Sequence, residues 1–187
     1  MDIPKDKLVL ILFCMLIPLF LLLLSYKVVL AVSSVTAQQG VWMNYFYYNA
    51  TMPGNYTALE RSHMQDVKSV LLGAKLLFEV LFFVMAILLW YLIQQQKWQD
   101  AVYYGGLATL ILVGFILLGL LINFNLVFTL FHSLFFPQGN WQFAADSLLI
   151  QTFPLDYFIS ISLRIFGLTL GLAIAMVVVG KAACKRK

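Results

Sequence analysis

Four stretches of this chain, near positions 8–32, 68–93, 101–131 and 157–180, are almost continuously apolar. A helix rising about 1.5 Å per residue needs roughly 20 such residues to cross about 30 Å of hydrocarbon. Lipid offers no partner for backbone N–H and C=O groups, so a spanning segment must satisfy them internally. The stretches therefore predict an all-α membrane protein, a four-helix bundle forming one domain over 1–187. Only 11% of the residues are charged, against about 25% in an average soluble domain. No long polar block remains to build a second domain. The first apolar run exceeds the roughly 7–15 residues of a signal-peptide core and contains Lys27, so it reads as a retained helix. The acceptor patterns at Asn49 and Asn55 matter only in a eukaryotic secretory pathway, of which the sequence shows no sign.

The connections set the topology. Gln94 to Asp100 is a short polar loop, so the second and third spans form an antiparallel hairpin, with Asp100 a candidate N-cap for the third. Lysine and arginine set the orientation. They gather at Lys5 and Lys7, at Lys97, and at Lys181, Lys185, Arg186 and Lys187, whereas the longer segments 33–66 and 132–156 hold Arg61 alone. Both termini are thus expected in the cytoplasm and both longer segments outside. Those two outer loops are expected to form a small extracellular cap, with room for a short β-hairpin around the aromatic run 42–48. The net charge of +4 sits at these ends, which argues against a nucleic-acid partner. Cys14 and Cys184 form no CxxC pair, which argues against a disulfide-generating oxidoreductase and a thiolate metal cluster.

The chain has two histidines, His63 and His132, and the topology puts both outside. Thr57 and Glu60 have capping-box spacing, so a helix is expected from Ala58 into the second span. Glu60, His63 and Asp66 then recur at three-residue steps on one face. A carboxylate beside an imidazole can fix its tautomer and raise its basicity, which is general-base chemistry. The plainer reading is a solvated first turn, since a helix N-terminus favours acidic residues by its dipole alone. His132 alone is equally ordinary at a membrane interface. Together they gain weight, because a proton-transfer reaction needs a donor and an acceptor. A two-histidine metal site would need a third ligand from Asp66 or Glu60, and no metal-binding spacing supports it.

Lys75, Glu79 and Arg164 fall in or near hydrocarbon, where a charge is expected to face the bundle interior with a partner. Lys75 and Glu79, four residues apart, can neutralise each other. Arg164 can hold an ester oxygen or tie to Glu79 or Asn123.

The blocks "ERSHMQDVKSVL" and "FHSLFFPQGNWQFAADSLLIQTFPLDYF" resemble the two signature regions of bacterial lipoprotein intramolecular transacylases, small integral membrane enzymes. The order His, Phe-Phe-Pro, Gly-Asn-Trp and Phe-Pro is the specific part. The resemblance implies a substrate: a diacylglyceryl-modified lipoprotein, after signal-peptide removal, with a free α-amine on its N-terminal cysteine. It implies transfer of one ester-linked acyl chain to that amine, with no cofactor and no outside acyl donor, at the extracytoplasmic face of the bacterial cytoplasmic membrane. His63 and His132 match the family's two histidines and are the catalytic candidates, supported by Glu60, Asp66 and Arg164. Gly139 and Asn140 are candidates for the oxyanion. Trp141, Arg61 and Tyr157 complete the substrate-side set. Two rival readings stay open: a non-enzymatic lipid- or lipoprotein-binding module, and a small solute transporter using Lys75, Glu79 and Arg164.

Overall fold

The computed structural model describes residues 4–185, so Arg186 and Lys187 of the basic tail lie outside the described residues. Seven helices follow one another: α1 Lys5–Val32, α2 Ala37–Tyr47, α3 Ala58–Gln94, α4 Trp98–Ile122, α5 Phe124–Phe135, α6 Leu148–Thr152 and α7 Leu155–Cys184. Of these α1, α3, α4 and α7 are long and apolar enough to cross a membrane. The closest pairing is α4 with α7, and α1 packs against α3, α4 and α7. At Gly180 this seam tolerates no side chain, since a Cβ there would lie 2.5 Å from the Tyr103 backbone nitrogen.

The bundle has two ends of different character. At one, Phe13, Ile17 and Leu21 of α1 pack with Met85, Leu92 and Ala101 around the α3–α4 turn. Lys97 and Asp100 pair there at 3.9 Å. Asp100 is the third residue of α4 rather than its cap, because the helix already begins at Trp98. At the other end α2, α6 and the first turns of α3 and α7 form a cap with its own core of Trp42, Tyr45, Phe46, Tyr56, Met64, Leu149 and Phe153.

The cap contains no β-hairpin; among the described residues there is no strand. Thr36 and Gln39 close a capping box that starts α2. Trp42, Tyr45 and Phe46 then fall at the i, i+3, i+4 spacing of one helical face and bury it. Gln39 Nε2 donates to the Thr152 carbonyl at 2.9 Å and fixes α2 to α6. The Thr152 hydroxyl donates to the Leu148 carbonyl, so Tyr56 Oη donates to it in turn, at 2.8 Å.

The apolar run 101–131 is also not one element. Asn123, at φ −154° and ψ 86°, ends α4 and starts α5, its side chain accepting from the Leu126 N–H at 3.0 Å. His132 therefore stands in the last turn of a short helix of its own. By contrast α3 runs unbroken for 37 residues, about 55 Å and so longer than about 30 Å of hydrocarbon requires. His63 rides on its second turn.

The charges expected inside the bundle face outward. Lys75 and Glu79 pair at 4.0 Å with half-exposed side chains. Arg164 is exposed on α7 and meets neither Glu79 nor Asn123. Side chains at the lipid boundary can reach up toward the headgroups, which makes an outward position tolerable.

Candidate active site

Phe136, just after α5, touches both histidines. Its ring centroid lies 4.7 Å from that of His63 and 5.7 Å from that of His132. His63 is further walled by Phe143 at 5.5 Å, and His132 by Phe128 at 3.9 Å and Trp141 at 4.9 Å. Phe136 thus joins the two imidazoles into one aromatic cluster.

Two carboxylates hold the frame, and neither binds an imidazole. Glu60, 2% exposed, accepts from the Thr57 N–H and hydroxyl, each at 2.8 Å, and from the Leu149 N–H at 2.8 Å. The expected Glu60–His63 contact does not form, because a carboxylate reaching back to cap its own helix points away from a residue one turn on. Its work is to cap α3 and bind α6. Burial pushes the Glu60 carboxyl up, but the hydrogen bonds from Leu149 and Thr57 outweigh it and hold it below the ordinary value.

Asp66 Oδ2 accepts from Gln138 Nε2 at 2.6 Å and from Asn140 Nδ2 at 2.7 Å. The same Asn140 nitrogen donates to Ser62 Oγ at 3.2 Å. The carboxylate thereby fixes which way the Asn140 amide faces: nitrogen to Asp66, oxygen inward. That inward Oδ1 is buried without a partner, and so is His63 Nδ1. Gly139 makes the turn possible, with φ +76° in the left-handed region. Its N–H donates to the Phe136 carbonyl at 3.1 Å. The Gly139 N–H and the Asn140 side-chain nitrogen are therefore already engaged.

His132 Nδ1 lies 2.8 Å from the Phe128 carbonyl. A carbonyl only accepts, so Nδ1 carries the proton and Nε2 of the neutral ring keeps its lone pair. The Trp141 ring packs on this imidazole.

Both histidines titrate below the ordinary value of 6.5. For His63 burial is the main cause; the Asn140 side chain opposes it, the nearby His132 adds to it, and Asp66 opposes it. For His132 burial again dominates, against the Phe128 carbonyl. Two neutral imidazoles that disfavour each other's charge are suited to pass one proton between substrate atoms.

The remaining sequence candidates lie elsewhere. Tyr157 packs on Phe153 at 5.4 Å in the cap core. The Arg61 and Arg164 side chains are exposed. Phe128, Phe136 and Phe143, which line the site, carry no chemical signature in the sequence. Only the density of aromatics between His132 and Phe143 hints at a walled site.

A sequence profile described as lipoprotein intramolecular transacylase Lit matches residues 25–158. No curated protein matches the chain. Among solved structures, the membrane integral lipoprotein intramolecular transacylase Lit from Bacillus cereus is similar at a TM-score of 0.83 and 20% identity, covering 97% of this chain and 96% of that one. Its histidine-to-arginine variant gives a TM-score of 0.79 at 19% identity, covering 97% and 92%. A histidine-to-alanine variant gives 0.80 at 19% identity, covering 97% and 94%. At these identities the likeness is one of fold.

Proposed function

Because the chain belongs to the lipoprotein intramolecular transacylase family, we propose that it moves one ester-linked acyl chain from the diacylglyceryl group of a lipoprotein's N-terminal cysteine to that cysteine's free α-amine. The product is an N-acyl, S-monoacylglyceryl lyso-form lipoprotein. In this reading the α-nitrogen attacks the ester carbonyl, a C–N bond forms and the glyceryl C–O bond breaks. The proton lost by nitrogen ends on the glyceryl oxygen, so the balance needs no outside group.

The observation that carries the reading is Phe136 against both imidazoles. His132, with its Nδ1 proton given to the Phe128 carbonyl, offers Nε2 as the base. The proton that His132 Nε2 takes from the amine passes to Nε2 of the neutral His63. The His63 imidazolium so formed delivers it to the departing alkoxide, which restores both neutral rings. The unpaired Asn140 Oδ1 is the acceptor that would hold the His63 Nδ1 proton once the substrate closes the site. Trp141 is the best remaining oxyanion donor, because its indole N–H makes no hydrogen bond to the described residues and its ring lies beside His132. Nucleophile and ester belong to one molecule, so holding them together supplies much of the catalysis.

Lys5, Lys7, Lys97, Lys181 and Lys185 mark the opposite end of the bundle as cytoplasmic. That supports an extracytoplasmic site, on the side where a mature lipoprotein presents its amine. A transporter reading gains no support, because Lys75 and Glu79 pair with each other and Arg164 is exposed without either of its expected partners.

Mass spectrometry of a lipoprotein's N-terminal peptide from cells expressing each variant tests the reading. His63→Ala or His132→Ala should remove the lyso form while the protein still inserts. Unaltered N-acylation in both variants would leave a non-enzymatic binding module as the better reading.

A further inference from the structure

Away from the histidines, α1, α2 and α3 enclose a cavity of about 210 Å³. Its polar wall is Tyr26 and Lys27 of α1, Tyr47 of α2 and Lys75 of α3, and its apolar wall includes Leu71 and Phe78. The Tyr26 and Tyr47 hydroxyls bond each other at 2.7 Å and join α1 to α2. Lys27 Nζ stands 4.5 Å from the Phe78 ring centroid, and no carboxylate among the described residues pairs with it. Lys75 meets Glu79 only at 4.0 Å, with both side chains half-exposed. Lys75 therefore holds one loose carboxylate and Lys27 none, which leaves an excess of positive charge in the cavity wall.

An anion at this place offsets that excess, and the wall chemistry selects which one. Lys75 lies seven residues past the start of the second apolar stretch at 68, about 10 Å along the helix, so its long side chain can extend toward the headgroup level. The polar wall at that level suits a phosphodiester. Deeper along the two helices, Leu23 of α1 and Phe78 of α3 offer a surface for a hydrocarbon chain and nothing for a hydrated inorganic ion. We propose that this cavity is a binding site for an anionic phospholipid, whose phosphodiester lies between Lys27 and Lys75 within reach of the tyrosine hydroxyls and whose acyl chain lies along Phe78. The site rests on the membrane placement of α1 and α3 and is independent of the transacylase chemistry.

Native mass spectrometry of the full chain in detergent, with added phosphatidylglycerol, phosphatidylcholine or inorganic phosphate, tests it. The wild type should retain phosphatidylglycerol over phosphatidylcholine, and inorganic phosphate should not displace it. Lys27→Gln with Lys75→Gln should lower retention about tenfold, while Lys68→Gln, on α3 outside the cavity, should leave it unchanged. Glu79→Gln, which adds no bulk and removes the competing carboxylate, should raise retention and keeps the test decisive if the double variant fails to fold. Equal retention of the two lipids, displacement by inorganic phosphate, or retention unmoved by the double variant and by Glu79→Gln would each overturn the site.

Discussion

His63 Nδ1 and Asn140 Oδ1 are both buried and make no well-formed hydrogen bond, yet the Asn140 side chain still favours the charged His63 ring. Asp66 pins the turn through Gln138 and Asn140 together. The sequence spacing showed Glu60, His63 and Asp66 on one face but not which partner each would take. The Thr57/Glu60 capping box was as legible as an orienting role, and it prevails because it needs only neighbours in the chain. The bond from Leu149 to Glu60 joins residues 89 apart and leaves no trace in local spacing. Two outcomes belong at this scale. Trp141→Phe keeps the ring on His132 and deletes the indole N–H; kcat should fall by about 10²–10³ in a single-turnover assay, and an unchanged kcat would remove Trp141 from the oxyanion role. With only two histidines in the chain, NMR can follow both imidazoles. Each should titrate below 6.5. As pH falls from 6.5 toward those lowered values, the unfolded chain binds protons first, so stability should decline with pH in that window. A titration above 6.5 in either ring would contradict the buried, neutral pair.

Among the elements, the four long helices were legible because lipid forces a continuous apolar run of fixed length. What composition hid was the break at Asn123, a single polar residue inside an apolar stretch whose capping bond to Leu126 makes α5 a separate helix. The signal for α2 was present in Thr36 and Gln39 and in the spacing of Trp42, Tyr45 and Phe46. Aromatic β-propensity competes with that signal, and burial against Met64 and Phe153 decides for helix. The seam of α4 and α7 yields a prediction at this scale. Gly180→Ala puts a Cβ against the Tyr103 backbone, which cannot swing aside like a side-chain tip, and should cost about 1–3 kcal/mol. Gly171→Ala on the same helix has nothing within 4 Å and should be neutral or slightly stabilising. Thermal unfolding in detergent checks both; equal behaviour of the two variants would contradict the close approach.

For the whole molecule, topology does what no single motif can. The connections from α1 to α3 and from α4 to α7 bring His63 and His132 to one end, and Lys5, Lys7, Lys97, Lys181 and Lys185 gather at the other. From the sequence, both histidines could be assigned to one side but not to one cluster, because that depends on Phe136 and on the turn at Gly139. The central claim is that this site transfers an acyl chain within one lipoprotein molecule. A crossover reaction tests it most directly: purified protein receives two diacylglyceryl lipopeptides, one carrying heavy acyl chains and a heavy peptide, the other unlabelled. The expected products are heavy amide on heavy peptide and light on light, formed by the wild type and absent in His63→Ala and His132→Ala. Mixed-label amides, or N-acylation persisting in both histidine variants, would contradict it.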